Sequence, residues 1–352
     1  MAVSFFLGQA GAFSATYDAL NPAFDAGMQS FQAKNYSDAV THFDEAIGTD
    51  ANLSKAYYWR ARTFFELGQN NLALEDLNTA LTQEPQNAVY YLWRGKTFIK
   101  MGQKDLAIRD FERAVNINPK LAEAFNAIGD FHKSQGNNDQ AMAAYNHSID
   151  VGDNDQDALV RRGVLNATLG KSDNAIKDFG DAIALAPQSG IAYFNRGAVF
   201  SGLHRPEEAL KDFNQALTIN PKDSKALAAR GGAYYQMKQP EQAVKDYSDA
   251  LDMNPQNDFF YYQRARAYEQ LGKNDKALND FGSAIELNGI AKYYLARAFL
   301  YNTMKKAVLA NSDIHRAQVL DPALPRKIVF EPGQETAADI NESGGGATLI
   351  PP

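Results

Sequence analysis

The chain has no cysteine among its 352 residues, which excludes disulfide bonds and thiol chemistry outright. That absence suits an exported protein and a cytosolic one equally. No apolar run approaches the roughly 18 residues that a membrane-crossing helix needs. There is no basic excess either: 35 Lys and Arg stand against 42 Asp and Glu, a net charge of −7. A phosphate-binding surface normally shows as a surplus of positive charge, so nucleic acid is not the expected partner. No Lys or Arg precedes Lys34, so the apolar start MAVSFFLGQAGAFSA lacks the positive region of a signal peptide, and Gly8 and Gly11 interrupt it. A cytoplasmic location is the expectation, with the periplasm or the exterior as the alternative.

Signs of catalysis are equally scarce. The five histidines, His42, His132, His147, His204 and His315, show neither ligand nor triad spacing. Asp153-Asn154-Asp155-Gln156-Asp157 opens like an EF-hand calcium loop, but Ala158 replaces the glycine of the sharp turn and Val164 the bidentate glutamate. No glycine-rich phosphate loop precedes a lysine. No catalytic residue, metal or cofactor is implied.

What is present is a repeat. The stretch Ser54–Asn87 realigns on Ala88–Leu121 after a shift of 34 residues, and the pattern recurs as nine units beginning at Leu20, Ser54, Ala88, Ala122, Gln156, Gly190, Ser224, Asp258 and Ala291. Within each unit the apolar and small residues keep helical spacing in two runs. In the second unit these are Tyr57, Ala61, Phe64, Leu67 and then Leu72, Ala73, Leu77, Ala80, Leu81, separated at Gly68 and closed near Pro85. One unit is therefore a helix–turn–helix hairpin.

Three columns specify the packing. The eighth residue is always Gly or Ala, from Gly27 to Ala298. The twentieth is Ala in all nine units, from Ala39 to Ala310, and the twenty-seventh is Ala except for Ser148. The twenty-fourth is large: Phe43, Leu77, Phe111, Tyr145, Phe179, Phe213, Tyr247, Phe281 and Ile314. Small residues at fixed steps let helix axes approach, and the large one fills the space beside them.

A fourth pairing is legible from the chain itself. Position seven is Arg in seven units (Arg60, Arg94, Arg162, Arg196, Arg230, Arg264, Arg297). Position twenty-three is Asp in the same seven (Asp76, Asp110, Asp178, Asp212, Asp246, Asp280, Asp313). The two units that lack the Arg, at Ala26 and Ile128, also lack the Asp, at His42 and Ala144. Removing one partner of a buried pair costs about 3–5 kcal/mol while removing both can be neutral, so joint loss is expected. These arginines are read as structural ties, not as ligand contacts.

The columns resemble the tetratricopeptide repeat, with small residues at eight, Gly at fifteen, Ala at twenty, an aromatic at twenty-four, Ala at twenty-seven and Pro at thirty-two. The resemblance covers about Leu20 to Leu324. It is weakest in the first unit, with Ala51 in place of Pro, and in the fourth, with Asp153 there. It implies an all-α fold: an α-α superhelix, a right-handed solenoid in which nine hairpins make roughly one turn and the first helix of each lines a concave groove. Residues 1–19 are expected as an apolar segment that caps the first repeat. Residues 325–352, rich in Gly, Pro and polar side chains, are expected as an irregular tail, whose apolar pieces Ile328–Phe330 and Leu349–Ile350 are candidates to cap the last helix or bind elsewhere.

The resemblance also implies where a ligand would sit, since positions two, five, six, nine, twelve and thirteen tend to face the groove in this family. The candidates are Lys55, Tyr58, Trp59 and Arg62 in the second unit, Trp93, Lys96 and Lys100 in the third, Phe194 in the sixth, and Tyr262 and Arg266 in the eighth. Aromatics there can hold apolar side chains of an extended segment, and the cations can pair with its carboxylates. Against this stands the packing alternative, in which Trp59 and Trp93, in one column of adjacent units, rest on each other. The carboxylate clamp of chaperone-binding members is missing: Tyr58, Arg62, Trp93, Glu123 and Ala127 occupy its places. The asparagine ladder of glycosyltransferase members is also missing, with Asn195 alone at position six. The expected function is a non-enzymatic scaffold or adaptor that binds a protein or peptide segment. The alternatives are self-assembly as a homo-oligomer, with an end of one copy in the groove of another, or service as an accessory subunit of an enzyme or export complex.

Overall fold

The computed structural model of the chain describes residues 21–152, 155–325 and 328. The expected cap over 1–19 and nearly all of the expected tail lie outside the described residues. Among those described there is no strand, and no helix is long and apolar enough to cross a membrane.

The helices fall into two compact units. The first holds α1 (Pro22–Gln32), α2 (Tyr36–Thr49), α3 (Ser54–Glu66), α4 (Asn70–Gln83), α5 (Ala88–Lys100), α6 (Lys104–Ile117), α7 (Ala122–Ser134) and α8 (Asn138–Val151). The second holds α9 (Gln156–Thr168), α10 (Ser172–Leu185), α11 (Gly190–Gly202), α12 (Pro206–Ile219), α13 (Ser224–Gln236), α14 (Pro240–Met253), α15 (Asp258–Gln270), α16 (Asn274–Leu287), α17 (Ala291–Thr303) and α18 (Ala307–Leu320). In both units consecutive helices pair as hairpins, and each hairpin's second helix packs on the first helix of the next hairpin. This is the helix-pair stacking of an all-α solenoid, with four repeats in the first unit and five in the second.

Each hairpin turns at position fifteen, where the backbone must enter the left-handed region. Gly does so at Gly68, Gly102, Gly136, Gly170 and Gly272, with φ between 67° and 75°. In the other four repeats Lys34, His204, Lys238 and Lys305 take the same turn at φ 55–59°. Packing on both sides of the turn overrides the preference of a side-chain-bearing residue for negative φ.

The small eighth residue seats the large twenty-fourth. A Cβ on Gly95 would lie 2.4 Å from the Phe111 ring and one on Gly27 2.5 Å from the Phe43 ring, so neither position has room for even a methyl group. The alanines of columns twenty and twenty-seven are fully buried or nearly so in every described repeat that carries them.

All seven Arg–Asp ties form. Nε and Nη2 of Arg94, Arg196, Arg230, Arg264 and Arg297 each donate to the two carboxylate oxygens of their aspartate at 2.7–2.9 Å. Arg60 grips Asp76 in the same way, and Asp178 takes a further bond from the Asn166 side chain. The aspartates are buried and the guanidinium groups half-buried. In Arg94, Arg196, Arg230 and Arg297 the hydrogen bond to the aspartate raises the guanidinium pKa against the opposing effect of burial. The free arm, Nη1, reaches back to position twenty-five of the preceding repeat: Arg60 to Asp44, Arg94 to Asn78, Arg230 to Asn214 and Arg264 to Ser248, at 2.6–3.0 Å. One arginine thus closes its own hairpin and fastens it to its neighbour.

The last described hairpin differs from the others. Positions twenty-one and twenty-eight are aliphatic or Met in the first eight repeats, as at Leu210 and Leu217, and face the next hairpin; in α18 they are Asn311 and Gln318. Gln318 Nε2 instead donates to the backbone oxygen of Pro325 at 2.6 Å. The helix is not polar throughout, since Val308 and Val319 are 84% and 56% exposed.

Candidate functional site

Helical spacing puts Trp59 and Arg62 on one stripe of α3, a turn apart, and the 34-residue repeat sets Trp93 beside them on α5. The two indoles do not rest on each other. The Arg62 guanidinium lies between them, its Cζ 4.4 Å from the Trp59 ring centre and 4.2 Å from that of Trp93. Phe31 on α1 and the buried Tyr58 complete the surround, at 5.2 and 5.8 Å from the same carbon. Phe31 and Tyr58 also meet Trp59 edge-on, and Phe65 meets Trp93 edge-on at 5.5 Å. Cation–π contacts of this kind contribute about 0.5–2 kcal/mol each, growing as water is excluded.

Two lysines extend the pattern along α5. Lys96 Nζ lies 4.5 Å from the Trp93 ring centre and pairs with Glu123 at the start of α7. Lys100 Nζ sits 3.7 Å over Phe65 and donates to its backbone oxygen at 3.2 Å. Arg62 has a different status. Among the described residues no carboxylate pairs with it, and its Nε is buried without a hydrogen bond. The guanidinium hydrogen-bonds the Tyr58 hydroxyl, and the rest of its edge can bind a carboxylate in the guanidinium plane.

Beneath this surface runs a buried polar seam. Tyr58 stacks on Tyr90 at 5.0 Å, and the Tyr90 hydroxyl meets Ser54 Oγ at 3.3 Å while Ser54 also bonds Glu84. Burial pushes the Tyr58 phenol up to about 12 against the pull of the Arg62 charge, and lifts Tyr90 to about 12 against its bond with Ser54.

The structure therefore brings Tyr58, Trp59, Arg62, Trp93 and Lys96 into one cluster, with Lys100 joined through Phe65 and Lys55 half-buried at the first turn of α3. Tyr58 itself is only 8% exposed and supports the cluster from below. Two candidates in the second unit are core residues and do not present a surface. Phe194 is buried against Phe213 at 5.8 Å, and Tyr262 is fully enclosed against Phe281 at 5.9 Å and Tyr293 at 5.0 Å. The physical reason is general. Position five precedes the small eighth residue by one turn, so it shares the stripe that faces the ring at twenty-four, and it is buried in every repeat from the second to the ninth. Arg266 is half-buried over Tyr235 at 4.8 Å, with Tyr262 at 5.8 Å and Lys292 on the same ring.

Sequence reasoning missed Phe31 and Glu123 as members of the site. Both were legible in principle, since Phe31 shares column twelve with Phe65 and Glu123 shares column two with Lys55.

Comparison with known proteins agrees with this architecture. The family described as tetratricopeptide repeat matches residues 88–121, 126–190, 190–223, 224–257 and 247–279, and that described as TPR repeat matches 61–102. No curated protein sequence matches the chain. Among solved structures, a tetratricopeptide repeat protein from Parabacteroides merdae is similar with TM-score 0.54 at 19% identity, over 67% of this chain and 94% of that one. The APC/C hetero-tetramer Cut9–Hcn1 is similar with TM-score 0.58 at 17% identity, over 80% and 52% of the two chains. PilF of Pseudomonas aeruginosa is similar with TM-score 0.53 at 17% identity, over 57% and 92%. At these identities the likeness concerns the fold alone.

Proposed function

Because this chain belongs to the tetratricopeptide repeat family, we propose that it is a non-enzymatic scaffold whose first unit binds an acidic, partly apolar protein segment on the face formed by α1, α3 and α5. The observation that carries this reading is Arg62, wedged between Trp59 and Trp93 and matched by no carboxylate among the described residues. A guanidinium held this way lies on a partly desolvated surface, where an incoming carboxylate gains more than it would in water. The exposed edges of the indoles and of Phe65 accept aliphatic or aromatic side chains of the same segment.

A protein ligand is favoured over nucleic acid for two reasons. The chain as a whole is acidic, and one face of each indole is already taken by Arg62. Binding is favoured over chemistry, since the family fold is a scaffold and Glu123, a carboxylate at this face, is already paired with Lys96.

The test uses a property of the composition: the two tryptophans of the chain both lie in this face. Their emission therefore reports occupancy without a label. A panel of synthetic peptides that combine Glu or Asp with aromatic and aliphatic residues is titrated against the protein. Lys100→Glu is expected to weaken binding by about threefold to tenfold, the range of an exposed to half-buried charge pair. Glu123→Gln releases Lys96 and is expected to strengthen it. Binding that ignores both substitutions, in proteins of unchanged melting temperature, would refute the reading.

A further inference from the structure

We infer that α18 carries a docking face whose occupant is the stretch of this same chain that follows it, residues 328–330. Three departures of the ninth repeat from the other eight meet on this one helix.

The first is an unfinished burial. The large residue of column twenty-four is at most 2% exposed in each of the first eight repeats, yet Ile314 is only half-buried. Ala307, Asn311, Ile314 and Gln318 follow at i, i+4, i+7 and i+11 and so share one stripe of α18. In α10, α12, α14 and α16 the second helix of a hairpin packs on the hairpin that follows. Among the described residues no hairpin follows α18.

The second is a gain of apolar surface. Column eighteen is Ser, Asn, Asp or Glu in all eight preceding repeats, from Ser37 to Asp275, and becomes Val308 in the ninth. Column twenty-nine holds no large apolar residue before Val319. The two valines lie eleven residues apart, on one line beside the stripe, and both are exposed. Apolar side chains gained at columns that are otherwise polar supply a surface for contact.

The third is the chemistry of the stripe itself. Asn311 and Gln318 stand where a following hairpin would need aliphatic side chains. Amides suit a different occupant, a chain segment that brings its own backbone N–H and C=O groups. Gln318 already holds the backbone oxygen of Pro325, so the chain beyond α18 starts out on this stripe. Ile328, three residues farther on, is half-buried.

Length agrees with the match. From Gln318 to Ala307 the helix rises about 16 Å, and from Pro325 to Phe330 a chain spans at most about 17 Å. Ile328, Val329 and Phe330 are consecutive apolar residues, with Glu331 and Pro332 after them. The apolar triplet can therefore cover Ile314 and reach Val308. Covalent connection gives it an effective concentration in the millimolar range, which favours it over a second copy of the chain. Docked there, it ends the stack without leaving an adhesive surface.

The experiment uses the full chain, which has no cysteine of its own. Glu331→Cys is combined with Ala307→Cys, on the stripe, or with Leu309→Cys, at nearly the same level on the opposite side of α18. Disulfide formation under mild oxidation is followed by mass and by gel mobility. The 307 pair is expected to close within one molecule about tenfold faster than the 309 pair, and adding Phe330→Ser should remove the difference. In the chain without introduced cysteines, Phe330→Ser is expected to lower the urea midpoint more than Leu349→Ser does. Equal rates for the two pairs, or a midpoint indifferent to Phe330→Ser, would overturn the inference. Disulfides that join two copies would overturn it too, and give the face to a second molecule.

Discussion

Arg230 donates through Nη1 to the side chain of Asn214, 2.9 Å away and sixteen residues earlier, so the tie inside one hairpin also clasps the hairpin before it. Arg196 and Arg297 occupy the same place in their repeats, but face Gly180 and Gly282 where Asn214 would be. A Cβ on Gly180 would lie 3.7 Å from Arg196 Nη1, in ordinary contact and with room to extend. Gly180→Asn is therefore expected to raise stability by about 1 kcal/mol, from a better helix former in α10 and a new charge-assisted hydrogen bond. Denaturant midpoints check this, and Asn214→Gly should move the midpoint the other way.

The fourth repeat shows how the tie can be dispensed with, having Ile128 and Ala144 in place of the arginine and aspartate. Asp212→Ala alone leaves the half-buried Arg196 without its partner and is expected to cost about 3 kcal/mol. Adding Arg196→Ile, which copies the fourth repeat, should restore a large part of that loss. A double-mutant cycle on thermal or urea unfolding measures the coupling. Additive losses would show that the two residues act separately.

The turns offer a stabilising change. Lys238 holds φ at 57°, a conformation that costs a residue with a Cβ roughly 1 kcal/mol or more. Lys238→Gly relieves it while adding freedom to the unfolded chain, for a net gain of about 0.5–1 kcal/mol. The reverse change at an equivalent turn, Gly102→Ala at φ 74°, is expected to destabilise by about 1 kcal/mol. Melting temperatures of the two variants should shift in opposite directions.

Alkaline pH reports on the buried tyrosines. Burial raises Tyr58 and Tyr90 to about 12 and lifts Tyr247 as well, above the ordinary value near 10. Below pH ~10 the phenols keep their protons in folded and unfolded chains alike, and the stability is fully present. As pH rises from ~10 toward ~12 the unfolded chain releases protons that the folded chain still holds, so stability falls across that window. Urea midpoints at pH ~9 and ~11 should show the drop, and Tyr58→Phe should make it smaller. A midpoint that is flat over this range would show that these hydroxyls reach water.

Much of this molecule was legible before any coordinates. The 34-residue period, the column of alanines and the joint presence of Arg196 with Asp212 each state a contact, because a repeat that is copied must present matching surfaces to its own neighbours. The site was legible only in part. The column of Phe194 and Tyr262 was expected to face a ligand, yet it shares a helix stripe with the small eighth residue and is buried.

By itself the sequence determined the hairpins, their number, the ties within them and the cationic, aromatic character of the second and third repeats. Those follow from periodicity and from side-chain chemistry, which are local properties of the chain. Tertiary structure alone decided that Arg62 enters between Trp59 and Trp93, that Lys96 is held by Glu123 and that the free arm of Arg230 reaches Asn214. Each of these arrangements includes a contact between side chains of different hairpins, and which neighbour a long side chain meets depends on how closely two helices approach. A pattern of spacing along one strand of sequence carries no measure of that distance.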